Sequence, residues 1–540
     1  MYPHKIFGPC HTTRTYTSKL QTFAFCFAGL SILGLCLGCG AGNSINIYNL
    51  TGTVSSTGNP LVAVYTITPP KPGTVTVNFG KTTNYGRQTW TRQTPPGGGP
   101  VSIYVAGMQA NTLYHMQAVV VYGDGVSVKD VDHTFMTGSY PAGSLPQITV
   151  STTPGQTPQS GIEIVNTILG SATAQIVAVD LSGNVIWAYN PDLALNGAAW
   201  QAPKQLPNGD FIALAAPPSS LATSATPPQG AANLVREFDL AGNTIKQITM
   251  PQLNAALAAA GYNLTLLYFS HDITVLPNGH WLVLANTTKS VVLNGQTTPT
   301  QVLGDVIVDL DTNLNPVWVW NEFDHLDVNR HPMNFPDWTH TNAVIYSPDD
   351  GDLLVSIRHQ NWVVKVDYYN GTGSGNILWH LGEGGDFKLV GGTDPTDWNY
   401  AQHGISFATP NTSGIFSLAV MDNGDDRLYP GETTNQICGT NGAPTCYSTV
   451  PIFQINESAM TATLQFHQIF TPSLYSSWGG NAEVLQNGDV EYDLTAEGFN
   501  SQVMEVTNVP DPQTVWTLNV INSHAYRAYR LPSLYPGVPW

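Results

Sequence analysis

Short apolar runs broken by polar turns are the dominant pattern of the chain. Residues 338–367, WTHTNAVIYSPDDGDLLVSIRHQNWVVKVD, show it most cleanly. NAVIY, LLVSI and WVVKVD are β-branched and apolar, and the turns SPDDGD and RHQN separate them, which predicts three strands of an up-and-down meander. In such a meander the start of the first strand and the end of the second lie at one edge. His340, Asn342 and Arg358 are therefore expected to converge.

The pattern repeats. An apolar–acid pair, a polar turn and a large hydrophobic residue recur as VDLSGNVIW (179–187), FDLAGNTIK (238–246), VDLDTNLNPVW (308–318) and VDYYNGTGSGNILW (366–379). FQINESAMTATLQF (453–466) and MEVTNVPDPQTVW (504–516) are weaker copies, and from Asp180 to Glu505 the mean spacing is 65 residues. A second unit of strand, tight turn and strand recurs between them, as in KQLPNGDFIALA, ITVLPNGHWLVLA and EVLQNGDVEYDL. Four strands per repeat and six repeats predict an all-β chain whose residues 147–540 form a six-bladed β-propeller. The period is longer than a compact blade needs, so long loops are expected to leave its faces. A β-helix would need much shorter periods.

Upstream, residues 61–138 carry the short strands TVTVNFG, VSIYVAGM, HMQAVVVYG and DHTFMTG. A Tyr after a polar turn and a last strand ending in F-x-T resemble the second half of a fibronectin type III-like β-sandwich. SYPAGSLP (139–146) reads as a Pro/Gly linker, and residues 39–60 as a polar tether.

Composition adds a compartment. Of 540 residues only 10% are charged, while Gly (51) and Pro (38) are abundant, as suits a turn-rich exported β protein. A net charge of −18 argues against nucleic acid and against a broad anionic membrane surface as partners. Lys5, Arg14 and Lys19 precede the apolar run TFAFCFAGLSILGLCLG, which stops at Cys39. Residues 1–38 thus resemble a lipoprotein-type signal peptide, with Cys36 where that pattern usually has Leu and Cys39 as the lipidated residue. A plain secretory signal cut nearby is the other reading. Either way the mature chain is expected to be periplasmic or in the cell envelope, and on the first reading it touches a membrane only through a lipid anchor. Cys438 and Cys446, in ICGTNGAPTCYS, close one Gly/Pro/Asn loop and are most simply read as a disulfide.

Chemistry enters through register. His271 (FSHDITVLPNG), His340 (WTHTNAVIY) and His403 (AQHGISFATPN) each precede an inner strand, at intervals of 69 and 63 residues. That is the repeat period, so the three imidazoles are expected to face one another at the mouth of the ring. Arg358 and the segment MDNGDDR (421–427) follow second strands and belong to the same face. His359, next to Arg358, is expected to point away. Trp200, Tyr268, Phe269, Trp338, Trp362 and Trp478 fall near the same rim and could stack on a phenyl ring. Three His, an Asn and an Arg supply donors, positive charge and imidazole nucleophiles, which suit a tetrahedral oxyanion. Transfer of such a group passes through a loose transition state, where positioning and charge do most of the work.

HDITVLPNG, WTHTNA, SIRHQN, QHGISF and MDNGDDR, in this order, resemble the bacterial arylsulfate sulfotransferase family over about 160–530. The resemblance implies transfer of a sulfuryl group from a phenolic sulfate ester to a phenol, with no nucleotide sulfate donor and no cofactor. By motif match it makes His403 the sulfated residue. His340, Asn342 and Arg358 would hold sulfate oxygens, and His271 would assist them or shuttle a proton. The Cys438–Cys446 loop also looks like a short disulfide loop of that family. Two departures are a lipoprotein-type leader, where members are often soluble in the periplasm, and Gly480 in the last repeat, where its neighbours have His. Two other functions fit the residues less well: a metal-dependent hydrolase or lyase on His271, His340 and His403, which the neighbouring Arg358 disfavours, and a non-catalytic cell-surface binding propeller. Oligomeric state is left open, a homodimer included.

Overall fold

The computed structural model describes residues 50–217 and 230–540, apart from 334, 441, 471–473 and 499. The signal segment, Cys39 and most of the tether lie outside them. The fold is all-β; among the described residues the one α-helix is Met250–Ala259, opened by Thr249 in a capping box with Gln252 and by a Pro in its first turn.

Six antiparallel sheets of four or five strands fill residues 147–531. The second is Ala199–Gln205, Phe211–Ala216, Leu234–Phe238 and Thr244–Thr249, and the third is Phe269–Val275, Trp281–Val291, Thr300–Leu310 and Pro316–Asn321. The fourth is Thr341–Ser347, Asp352–Ile357, Trp362–Val366 and Ile377–Leu381, so the meander expected at 338–367 forms three of its four strands. The fifth runs outward from His403–Thr412 through Ile415–Met421, Thr449–Asn456 and Thr461–Ile469, and Lys388–Val390 adds a parallel edge strand. Second strands such as Phe211–Ala216 and Asp352–Ile357 are buried at every position, because a sheet lies on each face. That is why their sequences read as unbroken apolar runs rather than alternating ones.

The first and sixth sheets join the two ends of the chain. His524–Leu531 is the inner strand of the first sheet, beside Ile162–Ile168, and Gln147–Thr152 pairs with Thr514–Ile521 at the outer edge of the sixth. Inner strands contact their neighbours in the order 199–205, 269–275, 341–347, 403–412 and 482–484, and 524–531 returns to 199–205, its Arg530 N–H donating to Glu483 of 482–484 at 3.2 Å. Arg530 clasps the seam. Its guanidinium meets Glu163 at 2.8 Å, Glu491 at 2.6 Å and Glu505 at 3.0 Å, all buried. A buried cation is tolerated only when it is paired, and burial raises Glu163 and Glu491 above the ordinary carboxylate range beside it.

The N-terminal region has one sheet of Thr53–Ser56, Ala63–Ile67 and Val101–Val105, and a second built on Gly73–Gly80 and Leu113–Tyr122. Two expectations change here. Thr53–Ser56 is a strand, paired with Ala63–Ile67, inside the stretch read as a tether. And one apolar core runs without a break from Tyr65, Val77 and Met116 through Ile164, Trp187 and Phe211 to Tyr535. The Tyr535 hydroxyl accepts from the backbone N–H of Ala106 at 2.7 Å, tying the last residues of the chain to this region.

Candidate active site

The inner strands of these sheets begin with a repeated irregularity. His271 (φ 60°), His340 (φ 52°) and Ala202 (φ 48°) are left-handed non-glycine residues, and Gly480 takes φ 90° before the inner strand of the sixth sheet. The pairing register slips beside each of the first three, between Gln201 and Lys204, Phe269 and Ile273, and Thr341 and Ala343. In the fifth sheet it slips between His403 and Ile405, with Ala401 at φ 49°. Such bulges turn a side chain out of the pleat, and here they turn imidazoles toward one another. Positive φ at a β-branched or bulky residue is costly and persists only where the surroundings impose it.

The three histidines meet. Ring centroids lie 4.7 Å apart for His271 and His340 and 6.2 Å apart for His271 and His403, and one nitrogen of each lies within 4.8 Å of the others. Each Nδ1 faces outward to a partner at 2.6 Å: the Tyr526 hydroxyl for His271, Asp337 Oδ2 for His340 and Asn423 Oδ1 for His403. The Asn423 amide is oriented by its surroundings, since its Nδ2 donates to the carbonyls of Ser476 (2.8 Å) and Gly479 (3.1 Å). Its Oδ1 therefore accepts from His403, whose Nδ1 carries the hydrogen and whose Nε2 keeps a lone pair. The carboxylate of Asp337 sets His340 the same way.

Burial keeps these rings neutral. His403 is held well below the ordinary histidine range by burial and then by Arg358 and Arg527, against the opposing bond to Asn423. Burial, with His340 and Arg527, does the same to His271. Burial and Arg358 push His340 down to about 3. Asp337 is raised by burial, opposed by His359, His271 and Arg358. Desolvation thus works against both partners of the 2.6 Å His340–Asp337 contact, and His340 is neutral there.

Arg358 stands in a short 3-10 turn with its guanidinium fixed. One nitrogen donates to His359 Nε2 at 2.6 Å, the other to Asp425 Oδ2 at 2.8 Å and to the Ser477 carbonyl at 3.1 Å. His359 does not point away: its ring lies 4.5 Å from that of His340, and its Nδ1 bonds the Asp337 carbonyl at 2.7 Å. Alternation fails in a 3-10 turn, so neighbouring residues can face one way. Asn342 is wholly buried; its Nδ2 donates to the Gln402 carbonyl at 2.7 Å and its Oδ1 has no partner among the described residues. Cys438 and Cys446 are joined by a disulfide, in the loop that follows MDNGDDR.

Residues that sequence reasoning passed over complete the site. Where the sixth sheet offers Gly480 in place of a histidine, the buried guanidinium of Arg527 fills the position, donating to the Gly480 carbonyl and to that of Asn342 at 3.1 Å. Tyr526 beside it bonds His271. Both come from the inner strand of the first sheet, which the chain supplies last. Asn423 lies within MDNGDDR, the segment that the meander places on this face. Of the expected rim aromatics, Trp200, Tyr268, Phe269 and Trp338 are buried in packing, and Trp362 is bonded to the Glu383 carbonyl beneath Arg330. Trp478 is partly exposed and packs on Ile168, Ala199 and Tyr526, next to the histidines.

A metal ion would find two groups of donors, His271–His340–His403 and Asp337–His340–His359. In the second, both nitrogens of His359 are already engaged. In the first, two guanidinium groups, Arg358 and Arg527, act on the same rings. Three neutral imidazoles and two fixed cations have the make-up of a site for an anionic group. The chain belongs to the arylsulfotransferase (ASST) family, whose sequence profile matches residues 147–527. No curated protein matches it. Among solved structures it is similar to a provisionally named 6-phosphogluconolactonase from Bacteroides fragilis, at 12% identity over 70% of this chain and 100% of that one, TM-score 0.36. A like-named protein from Bacteroides uniformis gives 10%, 69%, 100% and 0.36, and Kuenenia stuttgartiensis hydrazine synthase gives 12%, 58%, 75% and 0.23. At these TM-scores the likenesses carry no argument.

Proposed function

We propose that the protein moves a sulfuryl group from a phenolic sulfate ester to a phenol through a sulfohistidine at His403, with no nucleotide donor. The observation that carries the reading is the pairing of His403 with Asn423, which leaves Nε2 unprotonated among fixed cations. In the first half-reaction Nε2 attacks sulfur, the S–O(aryl) bond breaks and the electron pair leaves on the aryl oxygen. Arg358, His340 and Asn342 are assigned to the sulfate oxygens, and His271 to the aryl oxygen. In the second half-reaction an acceptor phenol attacks the sulfohistidine, which gives ping-pong kinetics. The cyclic contact of six inner strands supports a six-bladed β-propeller as the scaffold over 147–540, with a fibronectin type III-like sandwich before it. The apolar run ending at Cys39 supports export and lipid anchoring in the periplasm or cell envelope.

A chromogenic aryl sulfate, incubated with and without added phenol, tests the activity. Colour release that depends on the phenol supports transfer; equal release in water alone would mean a sulfatase and end the reading. Convergence of three imidazole nitrogens is what a metal hydrolase would also need. Stoichiometric zinc in purified protein, with activity lost on chelation, would favour that reading instead.

A further inference from the structure

The histidine that would face the aryl oxygen is held from behind by a phenol of the protein's own. Tyr526 is 3% exposed, and among the described residues its hydroxyl has one hydrogen-bond partner, His271 Nδ1 at 2.6 Å. A buried phenolic hydrogen goes to an acceptor where one is in reach. The tyrosine therefore donates, Nδ1 accepts, and the ring hydrogen of the neutral imidazole sits on Nε2, turned toward the cluster. Asn423 enforces the opposite arrangement on His403, as its own amide hydrogens are spent on Ser476 and Gly479. Two histidines 6.2 Å apart thus present unlike faces to one pocket, an N–H from His271 and a lone pair from His403.

We propose that Tyr526 is a positioning residue for sulfuryl transfer: it fixes the Nε2–H tautomer of His271, making His271 the acid on the departing aryl oxygen while Asn423 keeps His403 the nucleophile. The inference rests on the sulfohistidine reading and assigns the proton within it. As the S–O(aryl) bond breaks and the Nε2–S bond of His403 forms, the aryl oxygen takes the Nε2 proton of His271. The His271 Nδ1 takes the proton of Tyr526, whose oxygen is left anionic beside Arg527, a guanidinium 4.5 Å from the tyrosine ring. The acceptor phenol reverses each step and restores both protons. No external acid or base is consumed. Burial pushes the Tyr526 hydroxyl above the ordinary phenol range, opposed by Arg527, so its proton moves only in step with the transfer from His271 to the aryl oxygen.

Tyr526→Phe keeps the ring against Arg527 and Trp478 and deletes the hydroxyl. The burst rate is measured with phenyl sulfate, whose leaving group needs a proton, and with 4-nitrophenyl sulfate, whose leaving group needs it far less. The loss with phenyl sulfate is expected to exceed that with 4-nitrophenyl sulfate by roughly 10–100-fold, at or below the bottom of the 10²–10⁴-fold range for a general acid, since His271 itself remains. Equal losses, or none, with the wild-type burst intact, would overturn the role of Tyr526 and leave the sulfohistidine standing. A wild-type enzyme with no burst would remove both. Independently of the variant's folding, nitrogen-15 spectra of histidine-labelled wild-type protein, assigned by comparison with His271→Asn, should place the His271 hydrogen on Nε2. A hydrogen on Nδ1 would overturn the proposal.

Discussion

His340 and His403 enter the site in matching register from adjacent sheets, yet they are held by different chemistry. Asp337 gives His340 a carboxylate partner, and Asn423 gives His403 a neutral amide, each at 2.6 Å from Nδ1. A carboxylate holds the Nδ1 hydrogen more strongly than an amide does, so the neutral His340 ring is fixed beside the sulfate position, where Arg358 is placed to supply the charge that meets an ester. An amide oxygen cannot remove the Nδ1 proton. A sulfated His403 would keep that proton, and its ring would stay cationic and leave sulfur readily when a phenol attacks. The same residue type is thus suited to binding in one sheet and to covalent transfer in the next, by one side chain behind it.

The sharpest way to break this comparison is to remove each ring in turn. His403→Asn should abolish covalent sulfation and the burst of phenol release, and His340→Asn should weaken donor use while a sulfated His403 can still be trapped. Mass spectrometry of enzyme quenched with donor alone decides it. Label persisting in His403→Asn and vanishing in His340→Asn would exchange the two roles.

Arg358 acts electrostatically on both rings, and its loss is expected to be the next largest effect. Arg358→Lys keeps a charge but forfeits the fork that spans His359, Asp425 and Ser477. Both half-reactions are expected to slow by roughly 100–1000-fold, as when one oxyanion donor is lost. Rapid-quench rates for aryl release and for transfer to phenol measure the halves separately, and a loss confined to one would detach Arg358 from the shared step. Asp337→Asn is narrower. It turns the partner of His340 into the kind that His403 has, and kcat/KM for the donor should fall roughly 10–100-fold, the value of a charged hydrogen bond of ~1.5–3 kcal/mol. Burst stoichiometry should not change; a lost burst would place Asp337 with the nucleophile.

Much of this site was legible because blade-like repeats impose a period. Three histidines at intervals of 69 and 63 residues, each before an apolar run, had to share a location once the runs became inner strands. Arg358 and the 421–427 segment followed from the same meander logic. Arg527 and Tyr526 did not, because they belong to a strand that closes the first sheet from the far end of the chain, pairing with Ile162–Ile168. No local pattern in NSHAYRAYRL announces that partner. His359 was misplaced because alternation was carried one residue too far, into the 3-10 turn at Arg358–Gln360. The rim aromatics misled for an energetic reason: a large ring gains most by full burial between sheets, and four of the six took that course.

The pH profile separates free from buried imidazoles. His271, His340 and His403 are all held below the ordinary value, so they remain neutral as pH falls through about 6.5, where an unfolded histidine protonates. The burst rate is therefore expected to stay level from pH 8 to below 6 and to fall only further into acid. Stability behaves differently. A depressed folded value means that the unfolded chain binds more protons below 6.5, so this contribution is present above that pH and is lost as pH falls. Melting temperature should start to decline near pH 6.5 while the burst rate per folded enzyme is still level. A burst rate that drops at pH 6.5 would mean an exposed nucleophile.

The smallest effect should come from the disulfide, and it too bears on one ring more than the other. Cys438–Cys446 closes the loop after the segment that carries Asn423, Asp425 and Arg427, and the Cys438 N–H donates to the Arg427 carbonyl at 2.8 Å. Among the described residues, His340 and Asp337 make no hydrogen bond to that loop. Chain entropy assigns a loop of this size only about 2–3 kcal/mol. Within the segment, Arg427 is fully buried and bonded to Asp422 and to the Thr396 and Trp398 carbonyls, and Asn423 is bonded to Ser476 and Gly479, so most of its order does not depend on the disulfide. Replacing both cysteines by serine should lower the melting temperature by a few degrees and slow sulfation of His403 by no more than about threefold, since only a fraction of ~1 kcal/mol would reach the nucleophile. Donor affinity, which is assigned to His340 with Asp337, should not move. A large loss of affinity with unchanged sulfation rate would show that the loop supports the binding histidine, and the division of labour between the two rings would have to be redrawn.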